Sequence, residues 1–212
     1  MMLLEGRRAV VTGGSRGIGY ELSKIFLEHG AHVLAVSRSS TKLADARLVL
    51  PRLSTLSADV SDVADVERVT AWVAKEWNVL DILVNNAGIS ASPFPVSTSD
   101  NAWHLIIETN LSGPFYCCRA IGPHMLERRS GRVINISSTS GKMATSGGAA
   151  YNSSKAALNM LTKVFAMEWA PYNVGINAIG PGWFETAMTT DSLDTPEQRA
   201  DVAGVIPFGR LT

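Results

Sequence analysis

Short runs of Val, Ile, Leu and Ala recur along this chain at residues 9–11, 32–36, 53–58, 82–84, 133–136 and 174–179. Apolar residues at consecutive positions leave no face for water, so strands built from them must be covered on both sides. The segments between are long enough for helices. Ile18, Leu22, Ile25 and Phe26 follow helical spacing, and that stretch ends at His29-Gly30, where glycine accepts the left-handed conformation that closes a helix. Another begins after Ser61-Asp62, both suited to an N-cap. There Val63, Val66, Val69 and Val73 form one stripe, with Asp62, Asp65 and Glu67 near the positive end of the dipole. Residues 103–125 and 151–169 read as two long helices. Because a parallel crossover needs a connection about as long as a helix, this alternation predicts an α/β fold, a doubly wound parallel sheet with helices on each side. No repeat, low-complexity tract or linker divides residues 1–212, so a single domain is expected. Residues 90–100, with Pro93 and Pro95, and 191–204, with Pro196, read as loose surface segments.

Charge and cysteine content exclude several classes of function. With 19 basic and 19 acidic side chains no net field favours nucleic acid or an anionic membrane. No apolar run approaches the roughly 20 residues that span a bilayer, and the opening MMLLEGRR does not have the pattern of a signal peptide. A cytoplasmic, intracellular soluble protein is the expectation. Cys117 and Cys118 are neighbours without a histidine at ligand spacing, and His29, His32, His104 and His124 are scattered, so no metal site is expected and the cysteines read as packing residues.

Two local patterns carry chemistry. After the first strand comes TGGSRGIG, which sets Gly13, Gly17 and Gly19 between that strand and a helix starting near Ile18. Glycines there let the backbone approach a pyrophosphate seated on the free amides of the helix, although a plain tight turn has the same composition. Tyr151 and Lys155 lie four apart in an apolar-striped segment and so share a helix face. An ammonium about 4 Å from the phenol, at an effective dielectric of about 20, contributes about 4 kcal/mol and lowers its pKa by about three units. Tyr151 is then expected to exchange a proton near neutral pH. Taken alone, the pair also reads as a packed tyrosine and a solvated lysine.

The spacing Gly-x3-Gly-x-Gly, followed in order by Asn85-Asn86-Ala87-Gly88, Asn110, Ser138, Tyr151-x3-Lys155 and Pro181-Gly182, resembles the short-chain dehydrogenase/reductase family. The resemblance covers nearly the whole chain and is nearest to 3-oxoacyl-carrier-protein reductases and sugar-alcohol dehydrogenases. It implies a Rossmann-like domain with Asn110, Ser138, Tyr151 and Lys155 as catalytic residues. Ser138, rather than its neighbour Ser137, would bond the substrate oxygen, and Asn110 would hold a water chain leading to Lys155. For the cofactor it implies Gly13, Ser15, Arg16, Gly17, Ile18 and Gly19 at the glycine turn, and Asp59 and Val60 at the adenine. Asn86, Ala87 and Gly88 would line the adenosine side, with Asn86 as much structural as binding. Pro181 and Gly182 would lie beneath the nicotinamide with Thr186 on its carboxamide, and Tyr151 and Lys155 would also contact the cofactor. Gly180 departs slightly from the family, which more often carries Ala or Ser there.

Charge then selects between nicotinamides. A carboxylate ending the second strand would bond the ribose hydroxyl of NAD and repel the extra phosphate of NADP, but this chain has Ser37-Arg38. Arg16 and Arg38 can flank a 2′-phosphate, which predicts NADP(H) over NAD. The expected activity is an NADP(H)-dependent carbonyl reductase acting on a ketone or 3-oxo compound. The alternatives are a sugar or steroid alcohol dehydrogenase running oxidatively and a catalytically silent nucleotide-binding module, though the latter has no need of the full catalytic set. Phe94, Met143, Trp183, Phe184 and Met188 read as an apolar pocket wall or as core. The long helices carry more apolar and small residues than one sheet face covers, and the resemblance implies that they pair across a two-fold axis in a homodimer or homotetramer. The family also continues past residues 207–210 with another helix and strand, so the expectation is a truncated or partly ordered product, with a divergent short form as the alternative, and a strand 174–179 with an open edge.

Overall fold

The computed structural model describes residues 2–90, 95–190 and 193–211. Six strands form one sheet: β1 (Arg8–Thr12), β2 (His32–Ser37), β3 (Ser54–Ser57), β4 (Ile82–Asn85), β5 (Gly131–Ile136) and β6 (Val174–Ile179). Every pairing is parallel and the order is β3-β2-β1-β4-β5-β6. The winding reverses between β1 and β4, which opens a crevice at the carboxyl ends of the strands, the place where open sheets of this kind bind ligands.

Alternate residues of each strand serve opposite layers. Val10, Leu34, Val36 and Leu83 pack with Val66, Val69 and Val73 of α3 (Val63–Trp77) and with Cys117, Ile121 and Met125 of α5 (Gly113–Glu127). Ala9, Val11, Val33, Ala35 and Val84 face the other way, toward Leu27 of α1 (Gly17–Glu28) and Leu43 and Ala46 of α2 (Ser40–Val49). The doubly wound architecture read from the strand pattern is therefore the observed one. The two cysteines are free and buried. Burial pushes both thiols up, that of Cys118 to about 12 against the opposing hydrogen bond from Asn85, so they stay protonated packing groups.

Three details differ from the sequence pattern. Val63 is 38% exposed, so the buried stripe of α3 starts at Val66, while Asp62 caps the helix by accepting from the Ala64 amide. Residues 103–125 are not one α-helix: α4 (Asp100–Ile107) passes through a π turn, Glu108–Ser112, before α5. Within 191–204, read as loose, α7 (Pro196–Gly204) forms behind a complete capping box of Thr195 and Gln198, with proline at the start of the helix. Among the described residues β6 pairs on one side only, with β5, and Ile179 is 51% exposed. The remaining helix, α6 (Ala149–Trp169), packs along β6 and against α4 and α5.

Candidate active site

The crevice is lined at one end by the turn after β1 and at the other by residues following β5, β6 and the start of α6. Its floor is held by a hydroxyl. The buried Thr12 Oγ1 donates to Val84 O (3.3 Å) and accepts from the amides of Asn86 and Ala87, both at 3.0 Å. Asn86 Nδ2 donates in turn to Thr12 O (2.9 Å) and Gly13 O (3.3 Å). Gly13 adopts φ 66°, and a Cβ there would meet Asn86 Nδ2 at 2.8 Å and the Ala87 backbone at 2.9 Å, so only glycine lets the turn close on β4. Gly19 abuts the same Asn86 amide. Thr12 was not singled out in the sequence, where it looks like an ordinary strand end.

This cradle suits an anion. Arg16 occupies the N-cap of α1 without a side-chain hydrogen bond and no acidic residue sits in the first turn, so the leading amides of the helix have no side-chain partner among the described residues. Ser15 Oγ donates to Ser37 Oγ at 2.9 Å. Arg16 is exposed and makes no ion pair among the described residues. Arg38 is engaged: its Nη1 lies 3.7 Å from Asp59 Oδ2. The other oxygen of Asp59 accepts from the amide and hydroxyl of Ser61 (2.9 and 2.6 Å), and its own amide donates to Asp65 Oδ2 at 2.7 Å. Arg38 and Asp59, assigned separately to a phosphate and to adenine, are thus partners of one another. Asp65, read only as a dipole-matching acid, also braces the backbone of Asp59.

At the other end the helices converge. Asn110 is fully buried in the π turn; its Oδ1 accepts from the Ile89 amide (2.9 Å), while Nδ2 donates to Ile89 O (2.9 Å) and Ser154 Oγ (3.1 Å). Both amide hydrogens being used, Asn110 ties the loop after β4 to the second turn of α6. Gly88 sits between Asn110 Oδ1 and Lys155 Nζ, which a Cβ would meet at 3.4 and 3.5 Å. Ser137 is spent structurally, donating to Lys155 O at 3.3 Å, whereas Ser138 Oγ accepts from the Ser140 amide (3.1 Å) and lies on the pocket wall beside Tyr151.

Lys155 is 3% exposed, and its Nζ donates to Ile136 O at 2.7 Å and lies 5.7 Å from the centre of the Tyr151 ring. Burial lowers its pKa to about 8. Burial likewise pushes the Tyr151 phenol above its usual value, against the opposing hydrogen bond to Ser138. The lowering expected from a lysine in contact is not found: the ammonium is turned to the Ile136 carbonyl, and desolvation of the phenolate outweighs the hydrogen bond with Ser138.

The stretch after β6 covers the opening. Pro181 O accepts from the Thr139 amide (3.1 Å), Gly182 and Thr186 line the pocket, and Thr186 lies opposite Gly17, where a Cβ would be 3.6 Å away. Ile18, Val60, Ala87 and Gly88 complete that lining. Of the apolar residues read as pocket wall, Phe184 and Met188 line it, Met143 and Trp183 do not, and Phe94 lies outside the described residues. Thr109 lines the pocket and was not anticipated; the only hint is a hydroxyl interrupting the apolar run before Asn110.

The model of the short chain dehydrogenase family matches residues 7–197. The 3-oxoacyl-[acyl-carrier-protein] reductase of Salmonella typhimurium is 37% identical over 211 residues, covering 99% of this chain and 86% of the relative. A gluconate 5-dehydrogenase from Burkholderia cenocepacia J2315, solved in complex with NADP and tartrate, superposes with a TM-score of 0.93 at 32% identity, covering 99% of this chain and 84% of that one. The Pseudomonas aeruginosa RhlG/NADP active-site complex gives the same TM-score at 34% identity, covering 99% and 85%.

Proposed function

This chain belongs to the short-chain dehydrogenase family and is an oxidoreductase, and we propose that it uses NADP(H) to interconvert a ketone or 3-oxo compound and a secondary alcohol, with Tyr151 moving the proton. The observation that carries this reading is the convergence of Ser138, Tyr151 and Lys155 on the same pocket as the glycine turn. The dinucleotide, when bound, supplies or takes up the hydride. Burial keeps Tyr151 a neutral phenol, the form that donates a proton to a carbonyl oxygen. Ser138 Oγ, beside that phenol, can bond the same oxygen and hold it in line. Lys155, with a pKa of about 8, is mostly protonated at pH 7, and its charge moderates the cost of the phenolate left behind. Residues 1–212 act in this reading as one domain carrying both cofactor and catalytic groups.

The choice of NADP(H) rests on charge. Arg16 is unpaired among the described residues, and Arg38 is held only by a partly exposed pair with Asp59, which is weak enough to yield to a doubly charged phosphate. Two structurally similar proteins are NADP complexes by their own descriptions, which supports the choice. The Salmonella relative favours reduction of a 3-oxoacyl substrate; the gluconate dehydrogenase favours a second reading, oxidation of a sugar-derived alcohol by the same residues in reverse. A panel of 3-oxoacyl thioesters, simple ketones and keto-sugar acids, followed at the nicotinamide absorbance with NADPH and NADP, tests both. Turnover is expected with at least one carbonyl class, and its absence across the panel would refute the reductase assignment.

A further inference from the structure

Thr109 is 5% exposed, lines the pocket, and has an Oγ1 without a hydrogen-bond partner among the described residues. Other helical hydroxyls turn back on their own backbone: Ser23 on Gly19 O (2.8 Å), Thr70 on Val66 O (3.1 Å) and Thr162 on Leu158 O (2.7 Å). Thr109 sits in the π turn and makes no such bond. A buried hydroxyl left unpaired is costly, and valine would fill the same space at no such cost. No described residue supplies a partner, which leaves the hydroxyl available to a ligand in the pocket that it lines.

The same turn locates that partner. Asn110 bonds Ile89, and Gly113 rests on Val60, whose Cγ2 would lie 2.9 Å from a Cβ there. Thr109 thus belongs to the wall between Val60, next to Asp59, and Ile89, next to Asn110, where the Asp59–Arg38 end of the pocket meets the end at which the helices converge. We propose that Thr109 is a cofactor-binding residue whose hydroxyl hydrogen-bonds a polar atom of the adenosine half of the dinucleotide. This rests on the NADP(H) reading above.

The test titrates wild type, Thr109→Val and Thr109→Ser with NADPH, with 2′,5′-ADP as the adenosine half and with reduced nicotinamide mononucleotide, and measures ligand-free melting. Thr109→Val is expected to weaken NADPH and 2′,5′-ADP alike by about three- to tenfold. It should leave the mononucleotide unaffected and melt without ligand at or above the wild-type temperature; Thr109→Ser should bind like wild type. Unchanged NADPH affinity in Thr109→Val would overturn the proposal, as would a loss confined to the mononucleotide or a lower ligand-free melting temperature accompanying the weaker binding. A wild type that binds no dinucleotide would instead overturn the NADP(H) reading itself, and the proposal with it.

Discussion

Tyr151 and Lys155 are brought together by helical spacing, but their ionisation is governed by where α6 buries them. Burial raises the pKa of the phenol and the ammonium is turned to Ile136 O, so the resting site holds Tyr151 protonated. Replacing Tyr151 by Phe removes only the oxygen. We expect kcat to fall at least about a hundredfold while NADPH affinity stays within a few-fold; steady-state kinetics beside a binding titration read both, and survival of most of kcat would remove Tyr151 from the mechanism. Arg38 offers the second residue-scale prediction. Each charge-assisted contact to the phosphate contributes about 1.5–3 kcal/mol, so wild type should prefer NADPH and Arg38→Asp should narrow or reverse that preference. Equal dissociation constants for NADPH and NADH in the wild type would leave Arg16 and Arg38 as solvated bystanders.

Between residue and fold, the elements that build the site are those whose local geometry is irregular. The turn after β1 closes because Gly13 takes a positive φ against Asn86 and Ala87. Gly13→Ala adds about 1–2 kcal/mol of backbone strain to a contact with no room to relax, so melting several degrees below wild type is expected, together with weakened NADPH binding. A variant that melts and binds like wild type would show that the turn is not held by this approach. The π turn between α4 and α5 is the other irregular element, and it aims Asn110 at Ile89 and Ser154. The spacing of residues 103–125 does not mark it, because Ile106, Cys117, Ile121 and Met125 recur at ordinary helical spacing across it. The capping box of α7 is the opposite case: Thr195, Pro196 and Gln198 spell a helix start in plain view.

At the scale of the molecule, one buried lysine gives stability a pH dependence. The pKa of Lys155 is about 8 when folded and 10.5 as its ordinary value, so the unfolded chain binds more protons between those values and stability rises with pH across that window. The gain from this group is on the order of 3 kcal/mol. The unfolding free energy of wild type minus that of Lys155→Met is expected to rise from pH 8 toward pH 10, and a flat difference would show that the ammonium is not desolvated. Assembly is the second prediction at this scale. Phe115, Met160, Val164 and Met167 on α5 and α6 expose 36%, 59%, 42% and 80% of their surface, and we expect a dimer or tetramer by light scattering, with a monomer at micromolar concentration refuting it.

Much of this was legible without coordinates because it depends on period and local chemistry. Consecutive apolar residues in short runs require a sheet covered on both faces, and the strands read from them match the six observed to within a residue or two at their ends. The glycine turn, the Asp62 cap and the shared face of Tyr151 and Lys155 are likewise properties of neighbours along the chain. What only the folded molecule decided is environment, since solvation and pairing depend on residues brought together from distant segments. Thus Arg38 finds Asp59 across two strand ends, and Lys155 is buried against β5. Asn110 and Thr109, adjacent in sequence, diverge for the same reason: the π turn gives the side chain of the first a full set of protein partners and leaves the hydroxyl of the second with none among the described residues.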